Sequence, residues 1–261
     1  MTTVVFWALV ALATITGLVT AWTLGANSNS PPFAPAIGAN AISTMRAAFL
    51  IGILAALGAL TQGGSISETV GAGLIDGVAI TSLAAVAGLL TATGFMAFGI
   101  YSGYPVPAAF ATTGAMVGVG LSLGGEPVFD TYRRIATFWL LVPPVSGSLA
   151  YLTATVLRRD DIPETVGVPL LAGVVGGIVA NVQLSIIPSP AGTDQGSLAG
   201  FAAMVTGTDI AAVAATLLVA AGSFYYIRLQ TQASVDKGIK TFLVVLGSVV
   251  AFSSGGSQVG L

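Results

Sequence analysis

Neither cysteine nor histidine occurs anywhere in these 261 residues. Their absence excludes disulfides, thiolate nucleophiles and imidazole metal sites, and it removes the side chain most often used to shuttle protons near neutral pH. Charge is almost as scarce: only 7% of residues are Asp, Glu, Lys or Arg, where a soluble domain carries about a quarter. All ten acidic residues fall in loops or at the ends of apolar segments, so no carboxylate sits mid-span to serve as an intramembrane proton relay or cation site. With no general base to activate the serines, hydrolytic chemistry is excluded and the chain does not read as an enzyme. The net charge of −2 offers nothing to nucleic acid.

What fills the chain is apolar. Hydrophobic residues make up 55%, and the mean hydropathy is +0.94. The runs are continuous and lack the ten-residue alternation of barrel strands, so the expected class is an all-α polytopic membrane protein. Eight segments are expected: Val4–Leu24, Thr44–Leu60, Gly77–Ile100, Val106–Leu123, Ile135–Leu157, Val166–Ile187, Asp209–Ile227 and Ile239–Phe252. The first lacks a basic leader region and reads as a span, not a cleaved signal. Runs such as Gly173-Val174-Val175-Gly176-Gly177 suit close helix packing in lipid. Asn181 and Gln183 fall within the sixth segment and read as hydrogen-bonding partners for a neighbouring helix. Trp7, Trp22, Tyr225 and Tyr226 stand near segment ends, as interface anchors do.

If all eight segments cross, Arg46, Arg158, Arg159, Arg228, Lys237 and Lys240 share one side and only Arg133 and Arg134 the other. Excess basic residues mark the cytoplasm, which puts the N-terminus outside the cell membrane. Asp76 and Asp209 follow Gly/Thr-rich stretches and are expected to cap the helices they precede.

The first apolar segment runs into Gly25-Ala26-Asn27-Ser28-Asn29-Ser30-Pro31-Pro32-Phe33, with Gly38 beyond. Backbone broken by Gly and Pro survives at membrane depth only inside protein or along a water-filled cavity. An external turn is the alternative, since Asn, Ser and Pro dominate turns. A second polar cluster, Ser253-Ser254-Gly255-Gly256-Ser257-Gln258, ends the last apolar run; alone it reads equally as a flexible terminus.

Four blocks in order resemble the inorganic phosphate transporter family (PiT), permeases coupled to sodium or protons. The first is Gly25-Ala26-Asn27 with Phe33 and Gly38, set against a family motif of the type GANDVAN-x-F-x(4)-G. Next come Glu68–Asp76, against ETI-x(3)-GIID, and Gly103–Ala111, against G-LPVSTTHA. The last is Trp139–Gly147, against W-x-x-SPLLSG, following Arg133 and Arg134. The resemblance implies an inverted-repeat transporter with about eight membrane segments and broken or re-entrant helices. The first repeat would be residues 1–157, and 158–261 the start of a second, incomplete one. That shortfall implies either a fragment or a half-length form completed by a second subunit or a homodimer.

The resemblance also implies a site for inorganic phosphate or a related oxyanion. Its residues would be Asn27, Ser28, Asn29 and Ser30 from one repeat and Ser254, Ser257 and Gln258 from the other, the two segments approaching each other inside the bundle. Ser28 and Gln258 stand where the family has Asp. Pro31 replaces the motif's second Asn. Pro107, Ala108, Ala109 and Phe110 replace the STTH side chains, and Val142 takes the place of the Ser in the last block. Losing both carboxylates removes ligands that a hard cation prefers, so steep sodium coupling is not expected. No cofactor is expected, and the coupling cation, Na⁺ or H⁺, stays open. Besides the permease, a non-transporting partner subunit derived from one fits these substitutions.

Overall fold

The computed structural model describes residues 3–27, 31–104, 106–159, 161–189 and 196–258, with the side chains of Val5, residues 63–72, Val156 and Gln258 excepted. Ten α-helices dominate the described residues. In chain order they are α1 (Thr3–Asn27), α2 (Ala34–Gly38), α3 (Thr44–Ala72), α4 (Ser82–Ser102), α5 (Ala108–Ser122), α6 (Phe129–Leu157), α7 (Glu164–Ala180), α8 (Leu198–Thr206), α9 (Asp209–Ala233) and α10 (Val235–Gln258). A 3₁₀ turn at Pro31–Phe33 leads into α2. Among the described residues, six stretches are long and apolar enough to cross a membrane, and α5 and α7 are apolar but shorter. At 1.5 Å per residue those two reach only about 22–26 Å, against a hydrocarbon core of about 30 Å.

Local chemistry sets the boundaries. Helix α4 starts at Ser82, five residues later than its apolar run, because residues 75–76 (β1) pair antiparallel with 126–127 (β2). Asp76 is therefore not a helix cap: it lies in the ribbon opposite Glu126, and its carboxylate accepts from the Gly77 N–H at 2.7 Å. The α4 cap is Thr81, whose hydroxyl accepts from the Ala84 N–H at 3.3 Å. Asp209 lies inside the first turn of α9, behind the N-cap residue Thr208, where its charge faces the positive end of the helix dipole. Helix α7 stops at Ala180, so Asn181 is its C-cap and Gln183 lies beyond the helix, exposed. Helix α6 runs through Pro143 and Pro144.

The chain forms two compact units. The first comprises Met1–Pro31, Gly63–Thr137 and Ser257–Leu261; the second comprises Pro32–Gln62 and Phe138–Gly256. In the first, α1, α4 and α5 pack around Leu24, Ala92, Met96, Ala108 and Ala115. In the second, α7 lies along α9, and Val168 and Ala172 meet Ile227 and Phe242 of α10. A further cluster there joins Phe33 and Ala36 to Ala47 of α3 and Ala251 of α10.

Candidate functional site

The broken segment after α1 divides between the units: Gly25–Asn27 belongs to the first, Phe33 and Gly38 to the second. Phe33 is fully buried and lies against Gly247 of α10, where an added Cβ would come within 2.8 Å of the Pro32 carbonyl. The motif phenylalanine thus anchors the turn after the break, and α2 packs on α10 near Gly247 and Ala251. The Gly/Ser cluster two turns further on meets a different helix: Gly255 abuts Ala55, and Gly256 abuts Gln62, both on α3.

Asn27 ends α1, and its Nδ2 donates to the Val106 carbonyl at 2.8 Å. Val106 precedes α5, whose N-cap is Pro107. The first sequence block and the third, 79 positions apart, are therefore tied at one point. Pro107 supplies no side-chain cap, though its carbonyl accepts from the Phe110 and Ala111 N–H groups at 3.1 Å, and the positive end of the α5 dipole lies beside the Asn27 amide. Ala108, which stands in place of a family hydroxyl, is 4% exposed at this helix start.

A polar stripe leads down α1 to Asn27. Thr16, Thr20 and Thr23 are all buried, and their spacing with Asn27 follows one helix face. Thr93 of α4 meets Thr20, and Thr93 and Thr112 of α5 are also buried. The hydroxyls of Thr20 and Thr93 lie 2.6 Å apart, while Thr20 also contacts the Thr16 carbonyl at 2.8 Å and Thr93 the Leu89 carbonyl at 2.7 Å. Two hydroxyls own two protons, so they cannot fill three contacts at once. The pair has two proton arrangements, each leaving one carbonyl without its bond. Thr23 and Thr112 donate to the Thr20 and Ala108 carbonyls at 2.8 and 2.9 Å. With protons so committed, these hydroxyls turn lone pairs, not donors, towards anything between the helices.

Of the expected site residues, Asn27 is half-buried at the α1 terminus. Ser28, Asn29 and Ser30 lie outside the described residues. Ser254, half-buried, belongs to the second unit and Ser257, exposed, to the first; both are in the last turns of α10. Gln258 closes α10, its side chain not among those described. No group of three or more His, Cys, Asp or Glu that could hold a metal occurs among the described residues. The threonine stripe went unread in the sequence because threonine scarcely registers in hydropathy. Its visible signal is the 16–20–23–27 spacing.

Asn181 has the role expected of it. Its Nδ2 donates to Thr216 Oγ1 of α9 at 3.1 Å and to the Gly177 carbonyl at 2.9 Å, which joins α7 to α9.

Several known proteins are similar to this chain. A Pyrococcus furiosus protein described as a putative phosphate permease is 31% identical over 157 residues, covering 56% of this chain and 38% of its own length. A counterpart from Pyrococcus horikoshii is 32% identical over 157 residues, 58% of this chain and 39% of that protein. One from Chlamydia trachomatis is 29% identical over 161 residues, again 38% of its length. The matched stretches thus span well under half of each relative. The fold matches a solved structure of a sodium-dependent phosphate transporter, with a TM-score of 0.73 and 21% identity over 97% of this chain and 65% of that one. The model of the phosphate transporter family matches residues 24–261, nearly the whole chain, so this multi-pass membrane protein belongs to the phosphate transporter family.

Proposed function

We propose that this chain takes part in moving inorganic phosphate, or a closely related oxyanion, across the cell membrane by alternating access, with its N-terminus outside. One observation carries the reading: the Asn27 amide is hydrogen-bonded at the start of α5, joining two motif blocks beside a helix N-terminus. Amide and backbone N–H donors in a water-poor setting can replace part of an anion's hydration shell without a carboxylate nearby. Binding involves no covalent chemistry. Ser28–Ser30, Ser254, Ser257 and Gln258 are proposed to complete the donor set, within this chain, a second copy or a second subunit. The coupling ion is proposed to act without the family's two Asp positions, so uptake should survive replacement of sodium by potassium or choline.

Radiolabelled phosphate uptake into proteoliposomes tests the proposal in both buffers. The absence of cysteine makes single-cysteine variants background-free for topology, and a membrane-impermeant maleimide should label a cysteine placed before α1 from outside intact cells. A second reading is favoured by the commitment of the Asn27 donor to Val106 and of the threonine protons to carbonyls: a partner subunit that binds no anion. Equilibrium binding of phosphate to the purified protein separates the two, since the subunit should bind none.

A further inference from the structure

Helix α10 carries a feature outside the phosphate site proposed above. Lys237, Thr241, Val245, Val249 and Ser253 recur every four residues, which sets them on one face that winds round the helix by about 40° per step. Three hollows of the second unit open onto this face. The first, about 370 Å³, is lined by Asp236, Lys237, Lys240 and Thr241 together with Ala41 and Val245. The second, about 170 Å³, shares Val245 and lies between α7, α9 and α10. The third, about 310 Å³, shares Val179 and Val249 with the second and ends at Phe252 and Ser253. The shared linings make them successive stretches of one trough. From Lys237 to Ser253 it runs about 24 Å at 1.5 Å per residue.

The chemistry changes along its length. At the start of α10, where the apolar span begins, two lysines and one aspartate line the trough. Lys240 pairs with Asp236 at 2.8 Å, whereas Lys237 is exposed and makes no ion pair among the described residues. One positive charge is therefore left over at the polar end. Beyond Thr241 the lining is mostly apolar, chiefly valine with leucine, isoleucine and phenylalanine, and its polar side chains are Tyr226 and three serines. A cationic mouth at the membrane interface, continued by an apolar channel into the bilayer, matches a molecule with an anionic head and a hydrocarbon tail. The trough is long enough for a headgroup and one chain, since a chain crosses only half of the roughly 30 Å hydrocarbon core.

We propose that this trough binds an anionic glycerophospholipid, its phosphate at Lys237 and Lys240 and one acyl chain along Val245 and Val249. The site lies within the second unit and is independent of the phosphate pathway proposed above, so either can fail alone.

Native mass spectrometry of the full chain, released from detergent with phosphatidylglycerol or phosphatidylcholine of equal chain length, reads the site directly. Expected is a phosphatidylglycerol adduct retained on the order of tenfold better than phosphatidylcholine. That preference should vanish in the K237Q/K240Q variant, and K237Q alone, which keeps the Lys240–Asp236 pair, should already reduce it at an unchanged lipid-free melting temperature. V249W, which narrows the channel, should weaken retention of long-chain phosphatidylglycerol while leaving the dihexanoyl form unaffected. Three results would overturn the proposal. Equal retention of the two headgroups would make the trough a non-selective apolar surface. An unchanged preference in the lysine variant would place the lipid elsewhere. Displacement of the lipid by millimolar inorganic phosphate, as readily as by short-chain phosphatidylglycerol, would make the lysines an inorganic anion site.

Discussion

The two units differ in what brings their helices closest, although Asn181–Thr216 also hydrogen-bonds two helices of the second and Gly88 lies close to Met116 in the first. In the second, helices meet through missing side chains: a Cβ on Gly176 of α7 would come within 2.7 Å of Ser223 Cβ and 2.9 Å of the Val219 carbonyl. One on Gly255 would lie 2.5 Å from the Ala55 carbonyl carbon. In the first unit, helices meet through hydroxyls and an amide, at Thr20–Thr93 and Asn27–Val106. A glycine joint gains from dispersion between closely approaching backbones, is insensitive to direction and tolerates no added volume. A hydroxyl joint is directional and limited by its protons, and it can change partner without moving a backbone. The motif amide belongs to the unit with the exchangeable bond, while the tightest glycine contacts between helices, at Gly176 and Gly255, belong to the other.

The largest effect is expected where the glycine joint is overfilled. Gly176→Leu forces a branched side chain into the Val219–Ser223 face of α9 and should destabilise the protein by about 1–3 kcal/mol. A melting curve in detergent, followed by tryptophan fluorescence, measures it. Gly222, also on α9, has open space at its Cβ position, so Gly222→Leu is the control and should cost much less. Equal losses at both positions would break the contrast drawn between the units.

Asn27→Ala comes next and addresses binding. Loss of one donor from a water-poor site costs on the order of 1–3 kcal/mol, about ten- to a hundredfold in phosphate affinity. Equilibrium binding to the purified variant checks this, with a melting curve as companion because the Val106 carbonyl also loses its partner. Unchanged affinity in a folded variant would favour the non-transporting reading.

Asn181→Ala should show the reverse pattern. Its bond to Thr216 is an interhelical link of about 0.6–1.7 kcal/mol, so melting should fall slightly while phosphate affinity holds. A drop in affinity would make Asn181 part of the site.

These expectations also mark how far the sequence could be read. Uninterrupted apolar runs locate helices well: α3 starts at Thr44, α6 ends at Leu157 and α9 starts at Asp209, as hydropathy implies. It placed the α4 start too early because the two-residue ribbon is held by a partner some fifty positions away. It ran α7 past Ala180 because Val182, Leu184 and the isoleucines after it are as apolar as a helix interior. It missed α8, whose nine residues are too few for a span. At the site, Asn27 was legible from its block. Its acceptor was not, because a backbone carbonyl leaves no mark on residue identity and Val106 reads as one more valine.

The smallest expected effect tests the proton count. Thr20 and Thr93 make three contacts with two protons, so one carbonyl bond is already absent in either arrangement. Thr20→Val keeps the shape of the side chain, removes one proton and leaves Thr93 free to donate to Leu89 continuously. Thr93→Val does the same for Thr20 and the Thr16 carbonyl. Each single change should therefore cost at or below the usual value of about 1 kcal/mol for a hydrogen bond. Removing both hydroxyls removes both protons and so both bonds, and the double variant should lose about as much as the two singles together. A thermodynamic cycle on the four proteins gives the coupling energy that decides the matter. A coupling near zero is the expected outcome, because each proton makes one bond. A double variant clearly less destabilised than the sum of the singles would mean that all three contacts are filled at once, each single change then costing two bonds, and the exchangeable joint would be no different in kind from the fixed one between Asn181 and Thr216.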